Sequence, residues 1–166
     1  MDFSPFVTCP AGTRAPRPRP LDTPAGLGDR MRTAAFAEFQ AVAAFRWAAG
    51  YFQDAPPSLR EAWSAQVAEE ARHYGMIRHR MEELGFALTD RPVSAALWDS
   101  LQQCVTAEEF CIRIASAEER GRRAGERVSA HLAASDPQTA AIFGEIAADE
   151  VAHVALADTY FGWKPA

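Results

Sequence analysis

The sequence predicts an all-α chain, a four-helix bundle of two antiparallel hairpins joined by one long crossover that carries a short helix. Three observations predict it. Apolar residues recur with a helical period from Asp29 to the C-terminus, with almost no alternating, strand-like run. Proline, glycine and capping residues mark the breaks between the helical stretches. The first and third breaks are short, whereas the middle one is about twenty residues, long enough to travel the length of a bundle.

The elements follow in order. Residues 1–28 include "CPAGTRAPRPRPLDTPAGLG", dense in proline, glycine and arginine, and are expected to form an extended arm. Residues 29–166 form the bundle. Helix one is expected from about Arg30 to Gln53, with Asp29 as its cap, and "DAPPS" breaks it. Helix two starts at the capping box Ser58-x-x-Glu61 and stops near Gly85. The crossover holds a short helical piece between Pro92 and Cys104. Helix three opens on a second capping box, Thr106-x-x-Glu109, and runs to about Ala134. Asp136-Pro137 starts helix four, which reaches about Tyr160 before Gly162. Each long helix would measure about 33–42 Å.

Bulk composition narrows the function classes. With 166 residues, 48% of them hydrophobic, the chain can bury one sizeable core. A formal net charge of −5 disfavours a nucleic-acid partner. Cys9, Cys104 and Cys111 form no CxxC pair, which suits free thiols in a reducing cytoplasm and leaves no rubredoxin-like iron site. No apolar run is long enough to cross a bilayer, and the N-terminus has no signal-peptide pattern. A cytoplasmic, non-membrane protein is expected.

The chemistry lies in a repeated spacing. "VAEEARHYGM" places Glu70 three residues before His73, and "AADEVAHVAL" places Glu150 three residues before His153. Residues three apart share a helix face, and both pairs sit in apolar stripes, with Trp63, Gln66, Ile77 and Met81 on one and Phe143, Ile146 and Ala157 on the other. Glu38 and Glu118 also fall on apolar faces, and 32 residues separate Glu38 from Glu70 as they do Glu118 from Glu150. An unpaired buried charge costs several kcal/mol or more. Four carboxylates would balance two divalent cations, so Glu38, Glu70, His73, Glu118, Glu150 and His153 are expected to hold two metal ions, the ligand pattern of ferritin-like dimetal proteins. Oxygen and imidazole donors favour iron, with manganese the other candidate and zinc an adventitious substitute. Glu119 competes with Glu118 but breaks the spacing and is expected in solvent. Asp149 is expected to orient His73, and Glu69 to orient His153, through hydrogen bonds that fix the tautomer. His79 and His131 are expected at the surface, Tyr74 in the core, and the arginines of "RGRRAGER" on a solvated face.

At "EEARHYGMIRHRMEELG", "AEERGRRAGERV" and "ADEVAHVALADTYFGW" the chain resembles the ferritin-like di-iron carboxylate superfamily. The likeness is strongest to an uncharacterised bacterial ferritin-like group distantly similar to di-iron tRNA hydroxylases, and covers about Asp29 to Trp163. The resemblance places the ligands on the same six positions. Rubrerythrins carry a further carboxylate one turn after the third-helix glutamate, where this chain has Gly121, so their peroxidase chemistry is not implied.

These readings lead to a dimetal oxidoreductase activating dioxygen or peroxide, with an external electron donor and a homodimer among its expected states; the resemblance implies a hydroxylase of an unknown substrate. The acidic balance makes tRNA the weaker substrate. The alternatives are a ferroxidase for iron storage or detoxification, which needs a large shell, and a structural bundle with no metal or adventitious zinc.

Overall fold

The computed structural model describes residues 1–166 and contains four long helices and one short one. α1 spans Pro24–Tyr51, α2 Pro57–Glu83, α3 Ala96–Leu101, α4 Ala107–Leu132 and α5 Pro137–Phe161. α1 packs along α2 and α4 along α5, forming two tight hairpins, while the contacts between hairpins are sparser. The chain between α2 and α4 crosses from one hairpin to the other, with Trp98 and Leu101 of α3 buried against the bundle. The fold is therefore the expected ferritin-like bundle, and no helix is long and apolar enough to cross a membrane.

Local chemistry sets the helix ends, in two places differently from expectation. α1 begins at Pro24 with Thr23 as its cap, and the Thr23 hydroxyl accepts from the Gly26 N–H at 3.0 Å. Residues 24–28 are thus helical rather than part of the arm, and proline at the first position suits a helix start. Asp29, expected as the cap, is instead buried inside α1, where its carboxylate accepts from Arg19, Arg32 and Arg91. The Ser58 capping box does not form. Pro56 occupies the cap position of α2 without a side-chain bond, and the Ser58 hydroxyl accepts from Tyr160 at 3.0 Å. The other two starts are as expected, with Thr106 accepting from the Glu109 N–H and Asp136 from the Thr139 N–H. Gly162 ends α5 at φ 67°, a left-handed conformation that glycine adopts without a Cβ clash.

The arm lies on the bundle. Phe6 is buried against Phe36, the Cys9 N–H donates to the Val93 carbonyl at 2.8 Å, and the Val93 N–H donates to the Val7 carbonyl at 2.9 Å. Arg19 reaches Asp29 with both its Nε and Nη2. This cluster holds the Asp29 pKa well below the usual carboxylate range, chiefly through the Arg19 hydrogen bonds.

Two apolar clusters fill the bundle. One is built around Phe45, Phe52, Trp63 and Phe110, the other around Phe36, Ile77, Met81 and Phe143. Tyr74 packs with Phe6 and Phe39 at the edge of the second, as expected.

Asp29→Ala would leave Arg32, which is 2% exposed, without one of its carboxylate partners. Breaking a buried ion pair in this way costs on the order of 3 kcal/mol. A urea titration should read that loss, whereas Arg19→Ala, with its side chain 46% exposed, should cost far less.

Candidate metal centre

Each long helix of the bundle contributes to one polar cluster at its centre. Glu38 comes from α1, Glu70 and His73 from α2, Glu118 from α4, and Glu150 and His153 from α5. The helical repeat turns each Glu-x-x-His pair to a single face, and the large apolar neighbours Trp63, Ile77, Phe143 and Ile146 force that face inward. Glu70 and His73 are wholly buried, and Glu150 and His153 nearly so.

The distances describe two lobes sharing a middle. The Nδ1 of His73 lies 3.7 Å from Glu38, 3.8 Å from Glu70 and 3.6 Å from Glu150. The Nδ1 of His153 lies 2.8 Å from Glu70 and 3.3 Å from Glu150. Glu70 and Glu150 each turn one oxygen toward one imidazole and the other oxygen toward the second. The ring centroids are 6.1 Å apart. One donor atom from each of Glu38, Glu70, His73 and Glu150 falls within 4.8 Å of the others, a grouping able to chelate a metal ion. His153 adjoins that group through Glu70 and Glu150, and Glu118 through Glu150.

The outer nitrogens are occupied. His73 Nε2 lies 3.2 Å from Asp149, and His153 Nε2 lies 2.8 Å from Glu69. These are the two cross-hairpin pairings that the sequence symmetry suggested. A ring that donates from Nε2 and is neutral presents a lone pair at Nδ1, aimed into the cluster. Arg72 donates to both Asp149 and Glu145, holding the Asp149 carboxylate in place. Sequence reasoning missed Arg72. Its one signal is adjacency to His73, a weak one because consecutive helical residues face different directions.

Glu118 is less enclosed than its counterpart Glu70, because it opens onto a cavity between α1 and α4 while protein surrounds it on its other sides. Glu119 corrects the expectation of a solvated side chain. It is 7% exposed and accepts from Arg122 at 2.6 and 3.0 Å and from Arg123 at 2.5 Å. The arginines three and four residues ahead on the same helix capture it, and those of "RGRRAGER" are to that extent engaged rather than free. His79 is exposed, as expected, though it has Glu83 at 3.4 Å; His131 is also exposed.

The electrostatics fit a cation. Both oxygens of Glu70 and of Glu150, and the Nδ1 atoms of both histidines, are buried without a well-formed hydrogen-bond partner. Such orphaned groups are costly in a dry interior, and hard oxygen and imidazole donors are the atoms a divalent metal accepts. Burial drives the pKa of Glu38 and of Glu118 well above the carboxylate norm, and neighbouring carboxylates add to the effect. Burial opposes charge on the imidazoles too, but the surrounding carboxylates outweigh it, holding His73 at about 10 and His153 at about 11. Glu70 is lowered to about 2: burial pushes it up, but the His153 and His73 imidazoles, with Nδ1 at 2.8 and 3.8 Å, outweigh that.

An all-α bundle of two crossed-over hairpins with buried carboxylates and histidines at its centre defines a ferritin-like protein with a metal-binding cluster. The chain belongs to the family described as "Protein of unknown function (DUF455)", matched over residues 4–165, which takes in the arm as well as the bundle. Comparison with curated proteins and with solved structures gave no match.

The raised pKa values fix a pH dependence. For the imidazoles, stability gained from protonation is fully present below their unfolded value of about 6.5 and is lost as pH rises toward 10 and 11. Glu38 and Glu118 have the same sign, starting from the ordinary carboxyl range, whereas the contribution of Glu70 is present above about 4.5 and lost toward 2. Metal must displace these protons, so it binds more tightly as pH rises. The Tm difference between metal-loaded and metal-free protein should widen from about pH 6 to about pH 9, and thermal melts at both ends check it.

Asp149→Asn keeps the shape but weakens the acceptor on His73 Nε2. Loss of such an orienting partner costs about 10- to 100-fold in metal affinity, measurable by competition with a chelator of known affinity.

Proposed function

We propose that this chain is a dimetal oxidoreductase that activates dioxygen or peroxide to oxidise a small-molecule substrate. The observation that carries the reading is the set of buried oxygens and Nδ1 atoms, from both hairpins, that face one another without hydrogen-bond partners. Glu38, Glu70, His73, Glu118, Glu150 and His153 would hold the metals, with Glu70 and Glu150 lying between the two imidazoles. Iron is the metal proposed, manganese the alternative, and zinc an adventitious substitute. When bound, the metal pair supplies the redox chemistry and the positive charge that the side chains lack.

The chain's own residues orient, exclude and admit. Asp149 and Glu69 fix the imidazoles, and Arg72 fixes Asp149. Phe45 packs edge-on to His153, 6.2 Å between ring centroids, and shields it from water. The cavity between α1 and α4 reaches Glu38, Glu118 and Glu150, which supports oxidation of an admitted molecule over deposition of iron in a mineral store. Electrons would come from an external donor, in a cytoplasmic monomer or homodimer. Hydroxylation is the subclass that the resemblance to di-iron tRNA hydroxylases favours, and the net charge of −5 supports a small substrate over tRNA.

Protein purified from iron-supplemented cells should carry about two iron or manganese ions per chain by elemental analysis; none would end this reading. Glu70→Ala, Glu150→Ala and Glu118→Ala should lose metal and substrate oxidation together. Glu119→Ala should retain metal, because that carboxylate is turned to Arg122 and Arg123.

A further inference from the structure

We propose that the cleft between α1 and α4 binds a small molecule with an apolar chain of medium length and one anionic head, the head at Arg30 and the chain running down to Glu38 and Glu118. This inference rests on the reading of the cluster as an oxidation centre and names the substrate class it would serve.

The cleft exists because of what its walls lack. Ala34 and Ala37 of α1 face Ala117 and Gly121 of α4, so the helices leave a cavity of about 210 Å³ between them. A Cβ built on Gly121 would meet no atom within 4 Å. The depth is lined by Ile77, Phe143 and Ile146, a surface suited to a hydrocarbon. At the floor stands Glu150, 3% exposed with both carboxylate oxygens unpartnered, so the cleft ends on the cluster rather than on a closed apolar wall. The volume lies below the roughly 300–1,000 Å³ of drug-sized sites, which sets a small ligand.

Charge at the mouth sets the polarity. Arg30 lines the cavity and is exposed. Arg30 forms no ion pair, and the adjacent Asp29 is taken by Arg19, Arg32 and Arg91. Arg122, the other arginine on the cleft, is held by Glu119 and Glu126. Arg30 is therefore the unpaired cation of the cleft, and a guanidinium matches a carboxylate or phosphate. Two helical turns, about 12 Å, separate position 30 from position 38. An acid held at Arg30 would thus bring carbon atoms several bonds along its chain to the cluster, leaving the head away from it.

Calorimetric titration of the metal-loaded protein with octanoate, 1-octanol and butyrate tests this. Octanoate should bind, and butyrate should bind at least about tenfold more weakly. R30Q should weaken octanoate about tenfold and leave 1-octanol unchanged, and G121L should abolish binding of both by filling the cleft. Metal content and melting profile should stay as in the wild type for both variants, which separates a blocked cleft from a damaged fold. Metal uptake without octanoate binding overturns the cleft assignment and leaves the dimetal reading standing. Octanoate binding that depends on Arg30 in a protein that takes up no metal supports the cleft and overturns the dimetal reading. Octanoate binding that needs the metal but ignores R30Q places the head on the cluster and overturns the orientation. Binding of tRNA that depends on Arg30, with none of octanoate, overturns the substrate class.

Discussion

Burial of negative charge at the centre of the bundle is the constraint on which the rest of the structure depends. Four carboxylates and two imidazoles converge there, and both oxygens of Glu70 and Glu150 and both Nδ1 atoms are buried without a hydrogen-bond partner. Burial raises the proton affinity of Glu38 and Glu118, and the surrounding carboxylates raise that of both histidines. A divalent cation would supply positive charge to such a donor set, because one ion binds several oxygens at once. Exchange of protons for metal would couple the stability of the fold to occupancy of the site.

That coupling acts across the weakest seam of the bundle. Within each hairpin the helices pack closely, but between hairpins the contacts are few. The polar pairs cross this seam in both directions, with His73 meeting Asp149 and Glu150, and His153 meeting Glu69 and Glu70. Arg72 with Glu145 and Asp149, and Arg80 with Thr139, add side-chain ties between α2 and α5. The same seam is asymmetric. On the α2–α5 side charged residues hold the imidazoles, whereas on the α1–α4 side small residues leave a cavity between the helices.

Legibility of these features in the sequence follows the range of the interactions. Glu-x-x-His places two donors on one face through the helical repeat alone, so Glu70 with His73 and Glu150 with His153 could be read locally. The cross-hairpin partners Asp149 and Glu69 were legible one step further, because the duplicated spacing made each half a template for the other. Asp29 and Ser58 were misread because a capping residue type is also a good partner for a distant group, and Arg91 and Tyr160 lie far along the chain. Glu119 was misread for the opposite reason, its own helix supplying Arg122 and Arg123. The docking of the arm through Phe6 and Val93 was beyond reach, since proline-rich composition says where a helix is absent and not what the segment touches.

The position of the cluster between two apolar bodies gives the asymmetry its consequence. Phe45, Phe52, Trp63 and Phe110 fill the bundle toward one end, and Phe36, Ile77, Met81 and Phe143 toward the other. Water and solutes are thereby kept from reaching the carboxylates along the bundle axis. On the α2–α5 face, Arg72 and Asp149 stand over His73 and Glu69 over His153. The α1–α4 cleft, lined largely by apolar residues, reaches Glu38, Glu118 and Glu150. An apolar approach to a largely buried centre would favour a reactive group that meets apolar molecules more readily than water. The absence of a side chain at Gly121 and the presence of a charge at Arg30 are then parts of one device: the first opens the approach, and the second selects what aligns in it.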